Sequence, residues 1–201
     1  MTAEVSAALH RPGERPSAAL RSVPAPRFQP AEICKLLQGF NVRPETLQQY
    51  LHFAPRQYTR NLIYRDDLFE LIALCWDAGS ASPIHNHSNQ LCWLAVHKGA
   101  LRLENFDSLD GPGPGDRIRL VPAGGLDRAP VGCVDLQQGD AAIHRVSNPF
   151  AERAVSLHVY SRPYDSCIAY DREKQTAREI QLFYHSVGGK LVSPQREEHF
   201  Q

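Results

Sequence analysis

From about residue 57 onward the chain alternates, at short and regular intervals, between runs of β-forming residues and clusters of turn formers. That rhythm restricts the fold more than any other feature of the sequence. Strands are predicted near 57–63, 68–76, 90–97, 100–106, 117–121, 133–137, 141–146, 153–160, 166–171 and 178–184. Between them stand Asp77-Ala78-Gly79-Ser80, Lys98-Gly99, Gly111-Pro112-Gly113-Pro114-Gly115 and Gly124-Gly125. Turn signals this frequent leave no room for long helices, and many short strands point to an all-β sandwich or barrel. The GPGPG stretch reads as a long hairpin loop, because strand patterns resume directly after it. About ten strands in one domain suit a double-sheet jelly roll.

The sequence before residue 57 carries two short helical patterns. Pro30 opens the first, with Ile33, Leu36 and Leu37 at helical spacing and Gly39 after it; Pro44 opens the second, with Leu47, Tyr50 and Leu51 on one face. Proline at the first helical position and glycine past the end are the expected punctuation. Residues 1–29, rich in Ala, Ser, Pro and Arg, read as a disordered tail, and 30–201 as one domain. Acidic and basic residues balance at 22 each, so bulk charge gives no reason to expect nucleic-acid or membrane-surface binding. The longest apolar run, Leu71 to Trp76, falls far short of the roughly 20 residues of a membrane span. Five cysteines with no CxxC spacing suggest free thiols in a reducing, cytoplasmic compartment. The chain is expected to act as a monomer.

His85 and His87 stand two apart. On an extended segment both side chains point to one face, near enough to converge on one metal ion; the pair also fits two loop histidines facing solvent. The surroundings favour the metal. Gly79, His85, His87, Cys92 and Gly99 are spaced like the first cupin motif, G-x5-H-x-H-x4-E-x6-G, with Cys92 in place of the glutamate. His144 and Asn148 resemble the end of the second motif, H-x3-N, although Gly139 and Ala141 occupy the places of its usual Pro-x-Gly. Three neutral imidazoles would leave the metal's dipositive charge uncompensated and several coordination positions open, which favours an anionic, chelating substrate beside a small co-substrate. Imidazole suits iron, zinc, copper and nickel alike.

The run Ala154 to Tyr160 alternates, with Ser156, His158 and Tyr160 on one face and Val155, Leu157 and Val159 on the other. Inside a barrel the polar file must be mutually hydrogen-bonded; otherwise this is a strand facing solvent. With this run the sequence resembles the cysteine dioxygenase family over roughly residues 30–190. The matching blocks are Tyr58-Thr59-Arg60-Asn61, the His85-x-His87 segment with Cys92, His144-Arg145-Val146, and Ser156 to Ser161.

The resemblance implies a cupin double-sheet jelly-roll barrel with short N-terminal helices. It implies ferrous iron held by His85, His87 and His144, and L-cysteine and O2 as substrates, with cysteine sulfinic acid as product. It implies that Arg60 takes the substrate carboxylate with Tyr58 beside it, that Tyr160 places its hydroxyl against substrate and oxygen, and that His158 and Ser156 hold Tyr160. A thioether between Cys92 and Tyr160 is implied as well. Cys167, near the site entrance, stays outside the catalytic set. The family's Tyr-Ser-Pro-Pro reads here Tyr160-Ser161-Arg162-Pro163, so a trans peptide before Arg162 is expected, with its side chain a possible added charge near the substrate. Two other functions compete. A dioxygenase for 3-mercaptopropionate or another small thiol would resemble relatives that carry glutamine at the place of Arg60 and lack the cysteine at Cys92. A non-catalytic metal-binding cupin would leave Arg60, Ser156, His158 and Tyr160 without a joint task.

Overall fold

The structure, a computed structural model, describes residues 16–24, 29–38, 44–139 and 141–192. Among the described residues, three short α-helices, α1 (Pro16–Arg21), α2 (Pro30–Gln38) and α3 (Pro44–Leu47), and a 3₁₀ turn (Gln48–Tyr50) precede fourteen strands. These are β1 (Tyr58–Arg65), β2 (Phe69–Trp76), β3 (Ile84–His85), β4 (Cys92–Lys98), β5 (Ala100–Ser108), β6 (Gly115–Asp116), β7 (Leu120–Pro130), β8 (Val134–Gln137), β9 (Ile143–Ser147), β10 (Ala154–Ser161), β11 (Ser166–Asp171), β12 (Thr176–Gln181), β13 (Ser186–Val187) and β14 (Lys190–Leu191). They form two seven-stranded sheets, ordered β14-β13-β1-β2-β10-β4-β8 and β6-β12-β11-β3-β9-β5-β7. All pairings are antiparallel except β1 with β13. This is the all-β double-sheet cupin barrel that the turn rhythm predicts.

The alternation of side chains along each strand builds two cores. Ile72, Leu74 and Trp76 of β2 point inward with Leu94 and Val96 of β4, and meet Leu101, Leu103 and Val146 of the other sheet. The opposite face of the first sheet is covered by helix. Phe69 and Leu71 of β2, Trp93 of β4 and Val159 of β10 pack against Leu20, Ile33, Leu36 and Leu37. Burial on both faces explains why β2, Glu70 apart, reads as an apolar run and is buried at every position. Burying one large apolar side chain is worth roughly 1.5–3 kcal/mol, so this helical cover is a substantial part of the fold's stability.

Leu20 requires one correction. It lies within the stretch expected to be a disordered tail, yet it sits in α1 and is fully buried in the outer core. Residues 1–15 and 25–28 of that expectation, and Gly39, lie outside the described residues. A second correction concerns Gly124-Gly125, which lies inside β7 opposite Glu104 and Asn105 of β5, at a register shift, and is no turn. Gly125 has φ +144°, and a Cβ there would stand 2.0 Å from the Leu103 carbonyl oxygen. Glycine is required by this close backbone approach. The Lys98-Gly99 turn is confirmed: Gly99 has φ +71°, and β4 passes directly into β5.

Candidate metal centre

Two adjacent strands and the loop after the first bring the histidines together. β3 and β9 are neighbours, and His85 lies directly opposite His144. His87 follows two residues later. One ligand nitrogen from each of the three lies within 4.8 Å of the others, and their ring centroids are 4.7–5.1 Å apart. The two-apart spacing therefore does converge, and the pair does not face solvent: His87 is buried and His85 half-buried. Asn148 holds this geometry from behind. Its side-chain amide donates to the carbonyls of Trp76, Asp77 and Glu152, tying the end of β9 to the turn that leads into β3.

The chemistry of these nitrogens fits a metal ion. His85 Nδ1 lies 3.0 Å from the Pro83 carbonyl oxygen. A carbonyl only accepts, so Nδ1 carries the proton and Nε2 is left as an electron-pair donor. Both ring nitrogens of His87 and Nδ1 of His144 are buried without a hydrogen bond of normal geometry. Buried polar atoms are nearly always satisfied, and orphaned ones clustered together call for an absent partner. Burial lowers the His85 pKa to about 4 and holds His87 and His144 well below the usual histidine value. All three are thus neutral imidazoles at physiological pH, the form that ligates metals.

A polar relay stands beside the cluster. Ser156, His158 and Tyr160 face inward from β10 and are almost fully buried, so the strand does not face solvent. Trp76 Nε1 donates to Ser156 Oγ at 2.9 Å, and Ser156 Oγ lies 2.9 Å from His158 Nε2. Indole only donates, so Ser156 Oγ accepts from Trp76 and keeps its own hydrogen, which can donate onward to Nε2. In that arrangement His158 Nδ1 carries the proton and faces Tyr160 Oη at 3.3 Å. The Tyr160 oxygen accepts there, and its own O–H is free to point into the cavity. Desolvation, followed by the nearby Cys92 thiol, keeps this phenol far above its usual pKa and therefore protonated. Cys92 lies directly across from Tyr160 in the β4–β10 register, with Sγ 3.8 Å from His158 Nδ1. Burial raises the pKa of its thiol.

Tyr58 and Arg60, two apart on β1, face the same cavity, which is also lined by His85, His144, His158 and Tyr160. The inner chamber is small, about 20 Å³, and shares Tyr58, Arg60, Ser82 and Pro83 with an outer cleft of about 800 Å³. The ring of Tyr58 stacks on Trp76 with centroids 5.1 Å apart. Arg60 is buried, with its guanidinium 5.8 Å from the Tyr160 and Tyr184 ring centroids and Nε lacking a partner.

The chain that builds this constellation of three histidines, an inward tyrosine with a facing cysteine, and a buried arginine matches a known family. The sequence model described as "Cysteine dioxygenase type I" matches residues 24–173. The chain belongs to this family. Cysteine dioxygenase type 1 of Rattus norvegicus and of Homo sapiens are each 30% identical to it over 160 residues, covering 79% of this chain and 78% of theirs. Among solved structures, a conserved protein with a double-stranded β-helix domain from Klebsiella pneumoniae aligns with a TM-score of 0.45 at 10% identity, over 61% of this chain and 90% of that one. An RmlC-like cupin protein from Desulfovibrio desulfuricans aligns with a TM-score of 0.41 at 17% identity, over 62% and 96%.

His85, His87, His144, Tyr58, Arg60, Cys92, Ser156, His158 and Tyr160 of this cysteine dioxygenase relative thus meet at one place. Arg162 does not: it is exposed and is not part of the inner wall, which removes it as a charge near the substrate. Its peptide is trans, as expected. Cys167, set aside from the sequence, is buried in the cavity wall, and Tyr164 lies edge-on to Tyr160 at 5.2 Å. Sequence reasoning missed Glu70, whose carboxylate lies 3.4 Å from Arg60 Nη2. The signal was a single acid within the otherwise apolar run Phe69 to Trp76.

Proposed function

We propose that the protein is an iron-dependent thiol dioxygenase that converts L-cysteine and O2 to cysteine sulfinic acid. The observation that carries this reading is the coexistence, at one small cavity, of three converging neutral histidines, His85 and His144 in its wall and His87 beside them, and a buried arginine with an unpartnered Nε. His85, His87 and His144 would hold the ferrous ion. When bound, it supplies a centre at which thiolate and dioxygen meet and exchange electrons. The reaction balances without an external reductant: sulfur loses four electrons, O2 gains four, and both oxygen atoms end on sulfur.

The chain's own residues supply orientation and protons. A guanidinium suits a carboxylate through parallel charge-assisted hydrogen bonds, so Arg60 anchors the end of cysteine opposite its thiol. Tyr58, stacked on Trp76, forms the wall beside that anchor. The relay from Trp76 through Ser156 and His158 fixes Tyr160 with its hydroxyl proton aimed at the cavity, where it can donate to a developing oxyanion. The narrow inner chamber, set behind the outer cleft, limits solvent around the reacting sulfur. The cross-strand pair Cys92–Tyr160 is suited to a thioether, which would pin the phenol. All five cysteines are free thiols, in keeping with a reducing, cytoplasmic setting.

Metal analysis joined to oxygen uptake tests the reading. About one iron per chain is expected, lost when His85, His87 or His144 is replaced, with uptake on cysteine that follows iron content. Stoichiometric zinc and no iron-dependent uptake would overturn it.

A further inference from the structure

We propose that Glu70 is a specificity-determining positioning residue, whose buried carboxylate holds Arg60 and sets how much positive charge the cavity offers to a substrate carboxylate. The inference rests on the reading of the site as one for a thiol carboxylate.

Glu70 lies in β2 between Phe69 and Leu71 and is 1% exposed. Its side of the strand faces the barrel interior, directly across from Arg65 on β1 and from Tyr160 on β10. Oε1 meets Arg60 Nη2 at 3.4 Å; Oε2 accepts from Tyr184 Oη at 2.8 Å and lies 3.6 Å from Arg65 Nη1. Arg65 in turn grips Asp165 through two contacts, at 2.7 and 3.2 Å, and donates to Tyr184 Oη at 2.7 Å. The network runs from the surface to the cavity as Asp165, Arg65, Tyr184, Glu70 and Arg60. It contains two cations and two anions, so it is neutral before any substrate enters.

Stability does not account for this arrangement. A buried ion pair rarely stabilises a fold more than apolar residues of the same volume would, because desolvation offsets the attraction. What the arrangement does provide is orientation. Glu70 engages one terminal nitrogen of Arg60, the Tyr160 and Tyr184 rings flank the guanidinium, and Nε is left without a partner for an incoming ligand. It also tempers charge. A substrate carboxylate at Arg60 meets a guanidinium already half-compensated and a second carboxylate close behind it. Glu70 therefore weakens the cavity's hold on anions in general and leaves recognition to a ligand that can also engage the metal end.

The test uses anaerobic calorimetry on the iron-loaded protein, with L-cysteine and with cysteamine, which lacks the carboxylate. Glu70→Gln keeps the acceptor for Arg60 and removes the charge. Its Kd for cysteine is expected to fall roughly ten- to thirtyfold, the effect of one unit charge several ångströms away at an effective dielectric of about 20. Cysteamine should change by less than about twofold, since it presents no carboxylate to repel. Arg65→Gln removes a cation from the same network and should weaken cysteine binding severalfold, again sparing cysteamine. If Glu70→Gln does not fold, Arg65→Gln carries the test alone. An unchanged or weaker Kd for cysteine in Glu70→Gln, or equal shifts for both thiols in either variant, would overturn the role of Glu70. Wild type that binds neither thiol would sink the cysteine reading itself and this inference with it, whereas wild type that oxidises cysteine confines any failure to Glu70.

Discussion

Replacing Ser156 by alanine removes one oxygen from a buried strand and should damage both stability and turnover. The hydroxyl accepts from Trp76 Nε1 and meets His158 Nε2, each at 2.9 Å, and Ser156 is fully buried. The deletion strands two polar groups where water cannot reach them. Each orphaned group costs about 1–3 kcal/mol, so the fold should lose roughly 2–6 kcal/mol. With an m-value of about 2 kcal/mol/M, the urea midpoint should drop by about 1–3 M. By donating to Nε2, the hydroxyl would also hold the His158 proton on Nδ1, facing Tyr160. Without it the imidazole can take the other tautomer, and Tyr160 loses the contact that orients its O–H. A fall in kcat of about 10- to 100-fold is expected from such misplacement, with KM for cysteine little changed because Arg60 is untouched. Urea melts by circular dichroism and oxygen-electrode kinetics would measure the two effects, and Ser156→Thr, which keeps the hydroxyl, should restore most of both. Wild-type kcat in Ser156→Ala, or a midpoint within error of wild type, would refute the relay.

Three further outcomes follow from the site. Arg60→Ala should cut kcat/KM for cysteine by roughly 30- to several-thousand-fold, the loss of about 2–5 kcal/mol, while turnover of cysteamine changes little; equal losses on both thiols would deny Arg60 the role of carboxylate anchor. After many turnovers, peptide mapping should find a fraction of Cys92 joined to Tyr160, and complete alkylation of Cys92 would rule the thioether out. The third outcome is acid lability of the metal-free protein. Burial depresses the pKa of His85 to about 4 and holds His87, His144 and His158 well below their usual value. As pH falls below about 6.5, the unfolded chain binds protons that the fold refuses, so stability is full above that pH and declines toward pH 4. Four such groups predict a loss of roughly 4 kcal/mol between pH 6.5 and 5.5, read from urea midpoints across that range, and a flat profile would contradict neutral buried imidazoles.

Legibility in the sequence divided along physical lines. Strands announced themselves where side-chain period and turn chemistry agreed, as in β10, whose inward file of Ser156, His158 and Tyr160 was readable from alternation alone. Two-residue strands such as β3 are too short to carry a period, so His85 could be placed on an extended segment but its cross-strand partner could not be named. Gly124-Gly125 failed as a turn signal because glycine serves close backbone approach as well as reversal. Leu20 was hidden by its composition: a Pro- and Arg-rich stretch gives no sign that a single turn of helix covers the outer face of a sheet. Glu70, Tyr184, Arg65 and Asp165 are separated by long stretches of sequence, and only the barrel brings them behind Arg60.

The central claim is that both atoms of one dioxygen molecule are transferred to the sulfur of cysteine. Incubating the iron-loaded protein with L-cysteine under ¹⁸O₂ tests it most directly, with product mass and oxygen consumed recorded together. The account predicts cysteine sulfinic acid carrying two labelled oxygens, formed one-for-one with the O2 consumed, and no product when His85, His87 or His144 is replaced. Cystine as the product, sulfinic acid with oxygen drawn from water, or oxygen uptake that persists without the three histidines would contradict it.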